Sequence, residues 1–197
     1  GVSGGFAGVD VFFVISGFLM AGIVCSGLDS GRFSLWGFYL ARARRILPAL
    51  IVLVLAVLVM GWFLLLPGDY QMLGRHARES LLFTSNYRYL SEAGYFDTAS
   101  HAKWLLHTWS LSVEWQFYLI YPLVLLALAR WMPRERVILG AHILVLLISL
   151  VLCVLLTVNE PEKAFYWLPS RAWELLLGSC VYLVGRNFRP EPSVARL

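Results

Sequence analysis

The chain has 197 residues, of which 59% are hydrophobic and only 14% are charged. Soluble globular chains are about 45–50% apolar and about 25% charged, and the mean hydropathy of +0.72 departs from them in the same direction. This composition excludes a disordered chain, and three cysteines in the whole sequence exclude a disulfide scaffold. A membrane protein with several spans remains.

Five apolar segments predict the spans of an all-α, polytopic transmembrane helix bundle. Open sheets cannot satisfy their backbone groups in lipid, and the segments lack the period-two alternation of a barrel. They lie near 9–28, 46–66, 113–129, 137–158 and 172–184. Residues 67–107 are predicted to form a long extracytoplasmic loop, whose aromatic side chains either pack on the membrane surface or form an interfacial belt.

The basic residues predict the orientation. Ten of the sixteen Lys and Arg residues lie on one side of an alternating-span arrangement, and the positive-inside rule makes that side cytoplasmic. Residue 1 is therefore expected outside and residue 197 in the cytoplasm. The Lys and Arg residues form short clusters without interleaved aromatic residues, so nucleic acid is not an expected partner. The chain begins without methionine, and we expect it to be an internal piece of a longer protein.

Asp10 is the only acidic residue of the first segment. An acid at the edge of a span is costly and usually faces protein or water. The alternative is an acid near N1 to N3 of a helix, where the macrodipole favours it. Ser16 and Gly17, further along, are typical of close helix packing.

A basic cluster precedes the second segment. Arg42 and Arg45 are three residues apart, so on a helix they share a face. Two guanidinium groups on one face suit bidentate contacts with phosphate. The alternatives are a positive-inside stop or contact with anionic lipid headgroups.

Residues 107–118 form the richest polar segment and open the third span. His107, Ser110 and Glu114 have a spacing that places them on one helical face, and Tyr118 adds a phenol. Such a face suits a polar ligand or a proton relay, since ionisable groups inside a membrane are usually functional. The alternative is a capped helix entrance with aromatic anchors.

The fifth segment opens with Arg171 and Glu174, which are three residues apart and are expected to pair. A structural ion pair is the alternative to a functional one. His76, His101 and His142 lack metal-ligand spacing and are expected to be surface or packing residues, so no metal site is predicted. The three cysteines lie inside apolar runs and are expected to behave as small hydrophobes.

Four blocks resemble, in order, the signature motifs of the acyltransferase 3 family. They are GGFAGVDVFFVISGFL at 4–19, FYLARARRILP at 38–48, HTWSLSVEWQFY at 107–118 and SRAWELLLG at 170–178. Members are integral-membrane O-acyltransferases of the kind that acetylate lipopolysaccharide O-antigen, peptidoglycan and other glycans. The resemblance implies a bacterial inner-membrane enzyme that moves an acyl group, usually acetyl, from cytoplasmic acyl-CoA to a glycan hydroxyl outside, with no bound cofactor.

The resemblance also implies roles for individual residues. Arg42 and Arg45 are expected to bind the phosphates of CoA. The expected catalytic residues are Glu114, Asp10 and His107, and the expected substrate-binding residues are Ser110, Tyr118, Arg171 and Glu174. The family's usual catalytic histidine lies on a helix before the first one here, and later spans and the SGNH hydrolase-like domain of some members are also missing. We therefore expect the chain alone to be inactive.

A transporter or channel is the rival function. In that interpretation Asp10, Glu114 and Glu174 line a path across the bilayer. The sequence leaves this possibility open, because acyl groups must themselves cross the membrane in the enzyme. A purely structural membrane subunit is a third alternative.

Overall fold

A computed structural model describes residues 5–93, 103–131 and 135–187. Within these ranges every regular element is a helix and no strand occurs. The helices are α1 (Gly5–Asp29), α2 (Leu35–Leu64), α3 (Pro67–Leu81), α4 (Ser85–Glu92), α5 (Thr108–Trp131), α6 (Glu135–Asn159), α7 (Pro161–Tyr166) and α8 (Leu168–Asn187).

Four of these helices, α1, α2, α5 and α6, are long and apolar enough to cross a membrane. The predicted all-α membrane bundle is therefore confirmed. The fifth predicted span corresponds to α8, which has 20 residues but does not join the four because its first turns carry Arg171 and Glu174. It packs between α1 and α6, as a segment of marginal hydropathy requires.

Helix α2 begins earlier than the apolar pattern indicates. Its first residue is Leu35, and the Ser34 hydroxyl caps it by accepting a hydrogen bond from the Gly37 amide at 3.2 Å. The predicted span 46–66 begins inside this helix, because arginines end an apolar run without ending a helix. The arginines consequently lie within the first three turns of a 30-residue helix.

The predicted loop 67–107 contains two helices, α3 and α4. Pro67 occupies the first turn of α3, where its missing amide hydrogen costs nothing. The helix ends at Leu81, and Phe83, two residues further on, has a φ of 55°. The Thr84 amide donates to the Glu79 carbonyl at 2.9 Å and closes the helix end. The Phe83 ring stacks on Trp115 at 4.6 Å, which offsets the strained backbone. Residues 94–102 of the predicted loop lie outside the described residues.

Helices α1 and α8 are in backbone contact at two glycines. A Cβ atom at Gly17 would lie 1.8 Å from the Leu175 carbonyl oxygen, and one at Gly178 would lie 1.8 Å from that of Val14. The prediction that Gly17 serves close packing is confirmed. This contact fixes the axial register of α1 against α8.

The outer faces of α2 and α6 are apolar and exposed. Phe63 is 78% exposed on α2 and Val158 is 81% exposed on α6. Large exposed apolar surfaces of this kind fit contact with lipid or with further membrane helices. The chain is thus part of a multi-pass membrane protein.

Candidate functional site

Three buried side chains from α1 and α5 form a compact polar cluster, which we call the Glu114 cluster: Ser16, Glu114 and Tyr118. The Ser16 hydroxyl donates to Oε1 of Glu114 at 2.5 Å, and the Tyr118 hydroxyl donates to the same oxygen. The two hydroxyl oxygens are 2.6 Å apart. The second carboxylate oxygen, Oε2, has no hydrogen-bond partner among the described residues.

Helix periodicity positions this cluster. Glu114 and Tyr118 are four residues apart on α5, so they lie one above the other on the face toward α1. The ring of Phe13 packs edge-on against Trp109 at 6.2 Å one turn away and fixes α1 against α5. Ser16 was predicted to serve packing alone, and the structure shows that its hydroxyl also belongs to the cluster.

A cavity of about 320 Å³ opens beside the Glu114 cluster, and Arg42 and Arg45 line it from α2. Their predicted common face is confirmed, while Arg44 between them lies outside the cavity lining and is exposed. The guanidinium of Arg42 lies over the Phe38 ring at 5.9 Å, and its buried Nε has no hydrogen-bond partner in the described part of the chain. Both guanidinium groups are near enough to attract the Glu114 carboxylate.

The distribution of basic residues predicts that the arginine cluster and the polar segment 107–118 lie at opposite faces of the membrane. In the structure they share one cavity. Arg42 lies about 10 Å beyond the first residue of α2, and Glu114 lies about 9 Å beyond the first residue of α5. Each residue lies more than one turn beyond the start of its helix, and this displacement brings the two side chains to one cavity.

A second polar cluster, the Arg171 cluster, joins α1 to α8: Asp10, Arg171 and Glu174. The guanidinium of Arg171 contacts Asp10 Oδ1 at 2.8 Å and Glu174 Oε1 at 2.9 Å. The predicted Arg171–Glu174 pair is confirmed, and its bridge to α1 is new. The suggestion that Asp10 lies near N1 to N3 of a helix is wrong, because α1 already begins at Gly5.

Three aromatic rings enclose the Arg171 guanidinium at centroid distances of 5.6 to 5.9 Å: Phe13, Trp109 and Phe165. Glu174 is fully buried, whereas the Asp10 side chain is 43% exposed. Two carboxylates thus neutralise the Arg171 cation and the rings shield it from water. Nε of Arg171 and both carboxylate oxygens of Glu174 are nevertheless buried without a hydrogen-bond partner in the described part of the chain. Asp10 and Glu114, expected to act together, belong to separate clusters.

His107 and Ser110 do not join Glu114. His107 precedes the first residue of α5 and is exposed, and the Ser110 hydroxyl donates to the His107 carbonyl at 3.1 Å. The prediction that His107, Ser110 and Glu114 share one helical face is therefore wrong for His107, because α5 begins one residue later, at Thr108. The alternative of a polar helix entrance describes His107 and Ser110 better.

The remaining histidines divide into two cases. His142 is buried on α6 and contacts the Tyr121 hydroxyl at 3.3 Å, so its predicted packing role is confirmed. His76 is buried on α3 beside Glu92 and is more than a packing residue. His101 lies outside the described residues. In the described ranges no group of three or more His, Cys, Asp or Glu side chains could hold a metal ion, and Cys25, Cys153 and Cys180 are unbridged.

Comparisons with known proteins identify relatives of this chain. The chain is 33% identical over 197 residues to a peptidoglycan O-acetyltransferase, OatA, of Listeria monocytogenes. The matched region covers 98% of this chain and 32% of that protein. It is 32% identical over 200 residues to the O-acetyltransferase OatA of Staphylococcus aureus, covering 99% and 32%. An uncharacterized protein of Haemophilus influenzae is 35% identical over 177 residues, covering 87% and 72%.

The chain thus spans about a third of the length of the two named acetyltransferases. No solved structure matches it. Residues 2–196, almost the entire sequence, match the profile of an acyltransferase domain. The chain therefore belongs to the acyltransferase 3 family.

Proposed function

We propose that this chain is the membrane part of an O-acetyltransferase that moves acetyl from cytoplasmic acetyl-CoA to a hydroxyl of a cell-envelope glycan. The observation that carries the proposal is the cavity that Arg42 and Arg45 share with the Glu114 cluster. Peptidoglycan is the first acceptor to test, since it appears in the name of the Listeria relative. Lipopolysaccharide is the second.

The arginine side of the cavity fits a phosphorylated donor. Guanidinium groups bind phosphate with two parallel hydrogen bonds, and Arg42 has a buried Nε atom without a partner among the described residues. A lipid headgroup is the competing ligand. A cavity that also contains Glu114 favours a donor whose other end reacts, because an anionic headgroup alone gains nothing from a carboxylate.

The Glu114 side fits the reacting end. Acyl transfer needs a base that takes the acceptor's hydroxyl proton and donors that stabilise the oxyanion. As the new C–O bond forms and the C–S bond breaks, that proton passes to the base and then to the departing thiolate. Oε2 of Glu114 can hold the acceptor hydroxyl or orient a histidine from the rest of the protein, while Ser16 and Tyr118 hold Oε1 and so fix the position of the carboxylate.

The proposed orientation places residue 1 outside and residue 197 in the cytoplasm of the bacterial inner membrane. Support comes from the distribution of basic residues. Single cysteines replacing Arg44 and Glu160 in a cysteine-free full-length protein test it in intact cells. An impermeant thiol reagent should label position 160 and spare position 44, and the reverse pattern contradicts the orientation.

Transfer itself is tested with the full-length protein in membranes supplied with labelled acetyl-CoA. Wild type should place label on the glycan, and Glu114→Gln should lower the rate about 10²–10⁴-fold if the carboxylate acts in proton transfer. Glu162→Gln, a change on the exposed turn of α7, is the matched control and should transfer like wild type. Label that crosses the membrane without acetylating any glycan favours a transporter and overturns the proposal.

A further inference from the structure

A second cavity, of about 280 Å³, lies at the start of α3, apart from both clusters. Its polar lining consists of Asp69, His76 and Lys103. Its apolar lining includes Trp104 and Leu65. This volume is close to the roughly 300–1,000 Å³ of typical ligand sites, and we call it the α3 cavity.

His76 is held in place on one side only. It is 2% exposed, and its Nε2 lies 3.0 and 2.9 Å from the two carboxylate oxygens of Glu92. Arg88 contacts the same carboxylate at 2.6 Å and Lys103 lies 3.6 Å from it. Nδ1 of His76 has no hydrogen-bond partner among the described residues, and His76 lines the cavity, so this ring nitrogen is available to a ligand.

We propose that the α3 cavity binds one sugar ring of the acceptor glycan. This inference rests on the proposed function, which supplies the glycan acceptor. Its lining offers an acceptor at Asp69 and a ring nitrogen at His76 that can donate or accept a hydrogen bond. Hydroxyl groups both donate and accept hydrogen bonds, so they match this mixed set. Trp104 and the aliphatic side chains suit the C–H face of a sugar ring.

The charges argue against an anionic ligand. Asp69 lies in the cavity lining itself, and Glu92 already neutralises much of the positive charge of Arg88 and Lys103. A phosphate or a lipid headgroup would therefore meet a carboxylate without a surplus of cations. A neutral, hydroxyl-rich ligand meets no such repulsion.

The position of the α3 cavity indicates a holding role. Along α2, Leu65 follows Arg45 by twenty residues, or about 30 Å of helix. The α3 cavity shares no lining residue with the cavity beside the Glu114 cluster. A ring bound in the α3 cavity therefore does not contact that cluster, and its binding is equally strong before and during the reaction. Such binding changes KM and leaves kcat unaltered.

Binding is tested on the purified full-length protein with two probes, a β-1,4-linked N-acetylglucosamine pentamer and cellopentaose. Wild type should bind at least one of them. Asp69→Asn and Trp104→Leu should each weaken that binding about tenfold, while acetyl-CoA binding stays unchanged. Arg75→Gln, on the same helix but outside the cavity lining, is the matched control and should bind like wild type.

Three results would overturn the α3 site: wild type binds neither oligosaccharide, Asp69→Asn and Trp104→Leu bind like wild type, or inorganic phosphate displaces the sugar. In the transfer assay both variants should raise KM for the glycan at unchanged kcat. Oligosaccharide binding that Asp69→Asn weakens, in a protein that transfers no acetyl group, would preserve the site and refute the proposed function.

Discussion

The Arg171 cluster and the Glu114 cluster both depend on α1, at Asp10 and Ser16, six residues apart. In the first, one cation contacts two carboxylates and lies among three aromatic rings. In the second, a carboxylate leaves one oxygen without a partner, and a cavity beside it contains two arginines. In the first cluster opposite charges are in direct contact among aromatic rings, whereas in the second the carboxylate and the two arginines line a cavity.

This difference separates two uses of polar groups inside a membrane bundle. A buried ion pair that lacks one partner is strongly destabilising, so the direct contact of Arg171 with two carboxylates indicates that this cluster holds helices together. A buried donor without a partner beside a cavity is costly unless a ligand satisfies it. We therefore assign the Arg171 cluster to assembly and the Glu114 cluster to chemistry.

The largest expected effect comes from opening the Arg171 cluster. Arg171→Met leaves the fully buried Glu174 carboxylate without its cation and should cost about 3–5 kcal/mol of unfolding free energy. The double variant Arg171→Met/Glu174→Met should recover most of it, because an apolar pair of similar size is tolerated. Thermal unfolding of the full-length protein in detergent measures both.

Activity of the same double variant sharpens the comparison. If the cluster serves assembly, acetyl transfer should return together with stability. Recovered stability without transfer would instead support the substrate-binding role that the sequence predicted for Arg171 and Glu174.

A smaller loss is expected where α1 contacts α8. Gly17→Ala places a methyl group 1.8 Å from the Leu175 carbonyl oxygen, so the helices must separate, at a cost of about 1–3 kcal/mol or more. Because α1 carries residues of both clusters, stability and transfer should fall together. Gly140→Ala on α6 has no neighbouring atom within 4 Å and should be neutral or stabilising. Equal unfolding temperatures for both variants would contradict the close packing.

The two hydroxyls of the Glu114 cluster should act as a pair. Ser16→Ala and Tyr118→Phe each remove one donor to the same carboxylate oxygen and should each slow transfer about tenfold. Their oxygens are 2.6 Å apart, so the double variant should lose less than the product of the single losses. Strict multiplicativity in a double-mutant cycle would show that the hydroxyls act independently.

The smallest effect is expected at the partly exposed end of α3. A hydrogen bond from the Thr84 hydroxyl, and a second from Arg78, hold the pKa of Glu79 below its ordinary value of 4.5. A carboxyl with a lowered pKa contributes stability above its unfolded pKa and loses it as pH falls through the folded value. Thr84→Val should therefore be less stable than wild type at neutral pH, and the difference should shrink as the pH falls through the lowered pKa of Glu79. A constant difference at every pH would contradict this assignment.

The local features of this molecule were predictable from the sequence. The Arg171–Glu174 pair and the common face of Arg42 and Arg45 depend only on helical spacing within one segment. Packing at Gly17 follows from the need for small residues between membrane helices.

Features that join distant segments were not predictable. Ser16 and Glu114 are 98 residues apart, so no spacing rule relates them.

Some local features were missed as well. The α3 and α4 helices escaped detection because they are short and polar, and only their ends carry signals, such as Pro67. The start of α2 was missed because an apolar count ends at charged residues that a helix readily includes.

Binding of labelled acetyl-CoA to the purified full-length protein tests the central claim most directly, namely that the cavity beside the Glu114 cluster receives the phosphorylated donor. Arg42→Lys keeps the charge but cannot form the bidentate contact, so the Kd for acetyl-CoA should rise about tenfold or more. Arg44→Lys, two residues away and outside the cavity lining, should bind like wild type. Equal binding by both variants and wild type would contradict the account and leave the arginines as contacts for lipid headgroups.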